Sequence, residues 1–91
     1  MPAPIQHQPE QGVFETRIDG ARGLIAYRLE GQVMVLTHTE VAAELEGRGI
    51  AGDLVRAALD HARSNGLTVD PQCDYARSYM QRHPETMALH V

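Results

Sequence analysis

Seven consecutive residues, Glu46-Gly47-Arg48-Gly49-Ile50-Ala51-Gly52, hold the most chemistry in this chain, because they stand between a strand-like run and an amphipathic helix. Val33 to Val41 reads as the strand. Downstream, Ala51, Leu54, Val55, Ala58, Leu59 and Ala62 recur on one face at the 3.6-residue period, so the glycines open a helix. A helix start presents unpaired backbone N–H groups and the positive end of a dipole. Glycine, lacking Cβ, lets an anion approach that backbone closely. The natural guest is a pyrophosphate, with Arg48 adding charge. A plain glycine-rich loop would use the same residues, and Asp53 in the first turn could complement the dipole for purely structural reasons.

Three further side chains could react. Cys73 follows Pro71 at the start of a second helical run, where the dipole would lower a thiol pKa from its usual value of about 8.5 and favour thiolate. A free cysteine is more often a small buried hydrophobe. His38 and Glu40 point the same way from the strand and offer an imidazole and a carboxylate that could deprotonate an ammonium, directly or through water. An ordinary sheet-edge pair would look the same. His83 reads as a helix-end residue favoured by the dipole.

The elements that must position these groups follow from pattern. Val13 to Ile18 is a strand, Asp19-Gly20 a turn, and Gly23 to Glu30 a second strand with Ile25, Tyr27 and Leu29 on one face. Glu30-Gly31 turns the chain into Val33 to Val41, closing a three-strand antiparallel meander. On that third strand strict alternation puts Val33, Val35, Thr37, Thr39 and Val41 on one face and Met34, Leu36, His38 and Glu40 on the other. The helix from about Ile50 to Asn65 ends at Asn65-Gly66, a pair suited to a left-handed cap. Leu67-Thr68-Val69 returns as a strand parallel to the third, and Asp70-Pro71 ends it. A second helix runs from near Cys73 or Asp74 to His83, where Pro84 stops it.

With 91 residues there is room for one domain, spanning 12–91, after an arm of residues 1–11 whose three prolines and three glutamines read as loose and without an apolar targeting stretch. Hydrophobic residues make up 43% of the chain, and the aliphatic runs are far shorter than the ~20 residues of a membrane span. One cysteine allows no internal disulfide, which fits a reducing, cytoplasmic compartment. The net charge of −4 and the absence of lysine disfavour nucleic-acid backbone as a partner and suit a cationic or amine substrate.

This order of elements resembles the acetyl-CoA-binding core of the GNAT acetyltransferase superfamily, whose turn signature is Gln or Arg, two free positions, Gly, one free position, then Gly or Ala. Gly49 and Ala51 match; Glu46 stands where Gln or Arg is expected. The chain is still more similar to the small single-domain GNAT-like family through His38-Thr39-Glu40-Val41, Gly47-Arg48-Gly49-Ile50, Pro71-Gln72-Cys73-Asp74-Tyr75 and Arg82-His83-Pro84-Glu85, strings that span about residues 13–90. The resemblance implies an α+β fold, an antiparallel meander with a β-α-β crossover and a C-terminal helix, without the two helices that cover the acceptor side in larger members.

It also implies that CoA or acetyl-CoA is held by the amides of Gly47, Arg48, Gly49, Ile50, Ala51 and Gly52, that the Glu40 to Ala42 backbone (Val41 and Ala42 above all) binds the pantetheine arm, and that Arg82 meets phosphate. Cys73 would lie beside the CoA thiol as acyl acceptor or acid, Tyr79 ahead of Tyr75 would be the general acid, and His38 and Glu40 the base. The acceptor would be an amine, such as a protein amine or another exposed group. The rival implication is a CoA-binding or interaction module without turnover.

Overall fold

The computed structural model describes residues 4–91. Chain order is β1 (Gln6–Gln8), β2 (Val13–Ile18), β3 (Ala21–Glu30), β4 (Val33–Val41), a 3-10 turn at Ala43–Leu45, α1 (Ile50–Ser64), β5 (Thr68–Pro71), α2 (Asp74–Arg82) and a second 3-10 segment at Pro84–Leu89. The five strands form one sheet in the order β1-β2-β3-β4-β5. β1 to β4 pair antiparallel in succession, and β5 lies parallel to β4 after the α1 crossover. This is an α+β architecture with a mixed sheet.

Local chemistry explains the meander. Asp19 and Gly20 both take positive φ, 51° and 82°, the two-residue turn geometry that matches strand twist. The resulting register brings Phe14 opposite Ile25 and Thr16 opposite Gly23. Both helices cover that face. Phe14, Ile25, Met34, Leu36 and Val69 of the sheet share one core with Leu54, Val55, Ala58, Leu59 and Ala62 of α1 and with Ala76 and Met80 of α2. α1 packs tightly over Gly23: a Cβ there would stand 3.1 Å from Ile50 Cγ2 and 3.4 Å from Leu54 Cδ1.

Strict alternation along β4 does not hold. Ala26 pairs with His38 but Tyr27 pairs with Leu36, so Thr37 is an extra residue, a β-bulge. A one-residue insertion reverses every later side chain. Met34 and Leu36 therefore share the helix-covered face with Thr39 and Val41, while Val33 and Val35 share the helix-free face with His38 and Glu40.

The N-terminal segment is also more ordered than its composition suggests. Residues 1–3 of the expected loose arm lie outside the described residues, but Gln6–Gln8 pairs with β2 as an edge strand. His7 supplies the reason: its ring stacks on Phe14 at 4.1 Å and 6°, meets His61 edge-on at 4.5 Å, and hydrogen-bonds Tyr27 Oη. The other end is tied as well, since Val91 N donates to Val69 O at 3.0 Å along the outer edge of β5.

Candidate functional site

The site begins where β4 and β5 part. Their pairing runs from Val33↔Thr68 to Leu36↔Pro71 and stops. Two devices act at the same level. On β5, Pro71 has no N–H, and Gln72 N and Cys73 N both donate to Leu36 O at 3.0 Å, which closes the ladder and turns the chain into α2. On β4, the Thr37 bulge bends the strand away. β4 continues to Val41 paired only with β3. Ala42 N donates to Arg22 O at 2.9 Å, so by antiparallel alternation Ala42 and Glu40 address β3, and Thr39 and Val41 turn their N–H and C=O toward the gap.

The glycine turn sits beside that free edge. Leu45, only 1% exposed, anchors the 3-10 turn in the core, and Glu46 N donates to Ala43 O at 3.2 Å. Gly47 and Gly49 then take φ of 80° and 75°, with Gly49 the N-cap of α1. A Cβ at either would meet nothing within 4 Å, so both face open space as well as needing positive φ. The first bond of α1 is Asp53 N to Gly49 O at 3.0 Å; among the described residues no backbone carbonyl accepts from the amides of Gly47 to Gly52. A cavity of about 340 Å³ joins this turn to Val41, Leu45 and Tyr75. Glu46 lines it too, so the residue that departs from the family signature borders the cavity.

Cys73 is the N-cap of α2. Its sulfur accepts from Ala76 N at 3.4 Å and lies 3.3 Å from Thr39 Oγ1, which brings it against the free end of β4. His38 Nε2 and Glu40 Oε2 stand 3.2 Å apart, both well exposed. They occupy the helix-free face, whereas Cys73 meets Thr39 from the helix side. Base and thiol candidates thus flank the gap from opposite faces.

The two tyrosines serve different cavities. A Cβ on Gly52 would lie 3.5 Å from Tyr75 Oη and 3.7 Å from Tyr79 Cε2, so both pack on the start of α1. Tyr75 lines the turn cavity and is 37% exposed. Tyr79 instead stacks on His83 at 4.0 Å and 19° and lines a separate groove of about 330 Å³ between α1 and the C-terminal segment. Burial raises the Tyr79 phenol above its ordinary pKa of 10.0, which keeps it protonated at neutral pH. Arg82 lies over the Tyr75 ring, 5.9 Å from its centroid.

Charge follows the same geography. Five of the eight arginines, at 17, 22, 28, 63 and 77, pair with carboxylates. Among the described residues Arg48, Arg56 and Arg82 make no ion pair, and all three lie on the turn, α1 or α2. Arg56 is absent from the expected site. Its signal was present, since it follows Gly52 by four residues and so shares its helix face.

A sheet whose parallel pair parts at Leu36, followed by a glycine turn that opens a helix, defines an α+β class of acyltransferase-like folds. The chain belongs to the GCN5-related N-acetyltransferase family, whose profile matches residues 13–89. It is 34% identical to mouse (Mus musculus) Protein NATD1 over 86 residues, covering 91% of this chain and 78% of that protein. Human (Homo sapiens) Protein NATD1 is also 34% identical over 86 residues, with 91% and 76% covered. The solution NMR structure of a GCN5-like protein from Staphylococcus aureus superposes with a TM-score of 0.78 at 25% identity, covering 97% of this chain and 87% of that one. Among the described residues no helix is long and apolar enough to cross a membrane.

Proposed function

We propose that this chain binds acetyl-CoA and transfers its acetyl group to an amine. The observation that carries this reading is the free edge of β4 at Thr39 and Val41 directly beside amides at Gly47 to Gly52 that no backbone carbonyl occupies. When bound, acetyl-CoA supplies an acetyl thioester. The turn amides and Arg48 grip its diphosphate, with Arg82 and Arg56 adding charge farther along. The outward groups of Thr39 and Val41 hold the amide-rich arm by strand augmentation, with Ala42 closing the end of the strand.

The Val41 N–H would donate to the thioester carbonyl oxygen as negative charge develops there, leaving the Val41 carbonyl and the Thr39 groups to the arm. Glu40, with His38 beside it, takes the proton from the acceptor ammonium. Attack by the nitrogen lone pair would form the C–N bond as the C–S bond breaks; the departing sulfur would take the proton of a nearby phenol or thiol, and the surplus proton of the acylated nitrogen would restore that donor. Tyr75 suits that role better than Tyr79, because it lines the turn cavity; Cys73 is the second donor in reach, or an acyl acceptor in a two-step route. A single free thiol supports residence in a reducing, cytoplasmic compartment.

Glu46 favours a second reading, a CoA-binding module without turnover, because an acidic residue lines the cavity that the diphosphate would enter. Calorimetric titration with acetyl-CoA, followed by release of CoA thiol in the presence of polyamines, amino acids and lysine peptides, separates the two. Saturable binding with amine-dependent thiol release is expected. Binding without release for every amine leaves the module reading, and no binding removes both.

A further inference from the structure

The helix-free face carries its own small cavity, of about 200 Å³, lined by Arg22, Leu24, Glu40, Val41 and Ala42. Val41, at the free end of β4, borders both this cavity and the turn cavity. The charges around it are arranged in an unusual way. Leu24 pairs directly with Glu40, and Arg22 stands two residues along β3, the diagonal position about 7–8 Å from Glu40 in a strand pair. Arg22 and Glu40 nonetheless do not neutralise each other.

Glu40 turns to His38, and Arg22 pairs with Glu15. Glu15, itself 7% exposed, also has Arg17 at 3.9 Å. Two guanidiniums against one carboxylate leave that cluster with a net positive charge. The cavity therefore has an anion on one side, surplus positive charge on the other and an apolar floor at Leu24 between them.

We propose that this cavity is the acceptor site and that it selects an amine bearing a free carboxylate, the chemistry of an amino acid. The acceptor ammonium pairs with Glu40, next to Val41, and its carboxylate pairs with the outward N–H groups of Arg22, whose side chain is 42% exposed. Leu24 meets the aliphatic part. A polyamine or the side-chain amine of a protein lysine would bring a second cation or a neutral backbone to Arg22 and lose that contact. The inference rests on the acetyl-CoA reading above and adds the acceptor class to it.

The test compares L-alanine, L-leucine and L-lysine, each against its own C-terminal amide, with acetyl-CoA as donor and at matched free-amine concentration. Within a pair the side chain is the same and the carboxylate charge is removed, and matching free amine offsets the lower basicity of the amide's amino group. The free acids should show kcat/KM about tenfold or more above their amides, and amide resonances of Leu24 and Ala42 should shift on titration with the acid. Arg22→Lys keeps a cation for Glu15 but loses the planar fork, and should bring the acid-to-amide ratio toward one with the melting temperature retained. Amides that react as well as the acids overturn the inference and leave acetyl transfer standing. Acetyl-CoA binding with no reaction and no shift from any pair overturns it too, while failure of acetyl-CoA to bind at all overturns the reading beneath it.

Discussion

Cys73 has two tasks that mutation can pull apart. As N-cap of α2 its sulfur accepts from Ala76 N, and against β4 it meets Thr39 Oγ1. Serine is a better cap than cysteine, so Cys73→Ser should keep or raise the melting temperature, whereas Cys73→Ala should lower stability by about 0.5–2 kcal/mol. If Cys73 carries the acyl group, both variants lose turnover; unchanged kcat in Cys73→Ser assigns it to structure. Tyr75→Phe should lower kcat by about 10²-fold or more with little change in stability, and Tyr79→Phe should act much less, measured by thiol release under saturating donor.

His7 makes a pH prediction at the same scale. Burial first, then the nearby His61, lowers its pKa from the ordinary 6.5, with Glu10 opposing. The unfolded chain therefore takes up this proton more readily than the folded one. Stability attributable to His7 is whole above about pH 6.5, falls as pH drops through that value toward the lower folded pKa, and is constant below it. Melting temperatures from pH 7.5 to 5 should fall more steeply for the wild type than for His7→Phe, which keeps a ring on Phe14 without a titrating group.

Among the elements, the glycine turn and the bulge decide most. Gly49 sits at φ 75° as the cap of α1, so Gly49→Ala should cost about 1–2 kcal/mol in denaturant unfolding. Gly52 is different. It lies within the first turn at ordinary helical φ, and a Cβ there meets Tyr75 and Tyr79 at van der Waals distance, so Gly52→Ala should be neutral or stabilise by up to about 1 kcal/mol. The pair separates the backbone demand of the turn from glycine content as such. Thr37 is the other decisive residue. Without that extra position Glu40 would lie under the helices with Leu36, and a carboxylate buried there without a partner would be costly.

For the whole molecule, one sheet face carries both helices, and among the described residues no helix covers the other. The apolar centre is small. Leu54, wholly buried at the middle of the core, should cost about 2–5 kcal/mol as Leu54→Ala, a large share of the stability of a 91-residue chain. The open face is also what leaves Arg22, Leu24 and Glu40 accessible to an acceptor.

Much of this was legible in the residues themselves. The period of Ala51 to Ala62, the Asp19-Gly20 turn and the glycines at 47 and 49 specify α1, the hairpin and the positive-φ turn that opens α1 through local sterics and apolar spacing, and local rules read directly from sequence. The order of strands and the position of β5 followed from the crossover. Other features depend on contacts between distant residues. The edge strand β1 exists because His7 finds Phe14 and Tyr27, the bulge at Thr37 exists in the pairing of β4 with β3, and Tyr75 rather than Tyr79 reaches the turn cavity because of where α2 lands on α1. A sequence states each residue's preferences, but register, face and cavity belong to pairs of elements, and only the folded chain decides those.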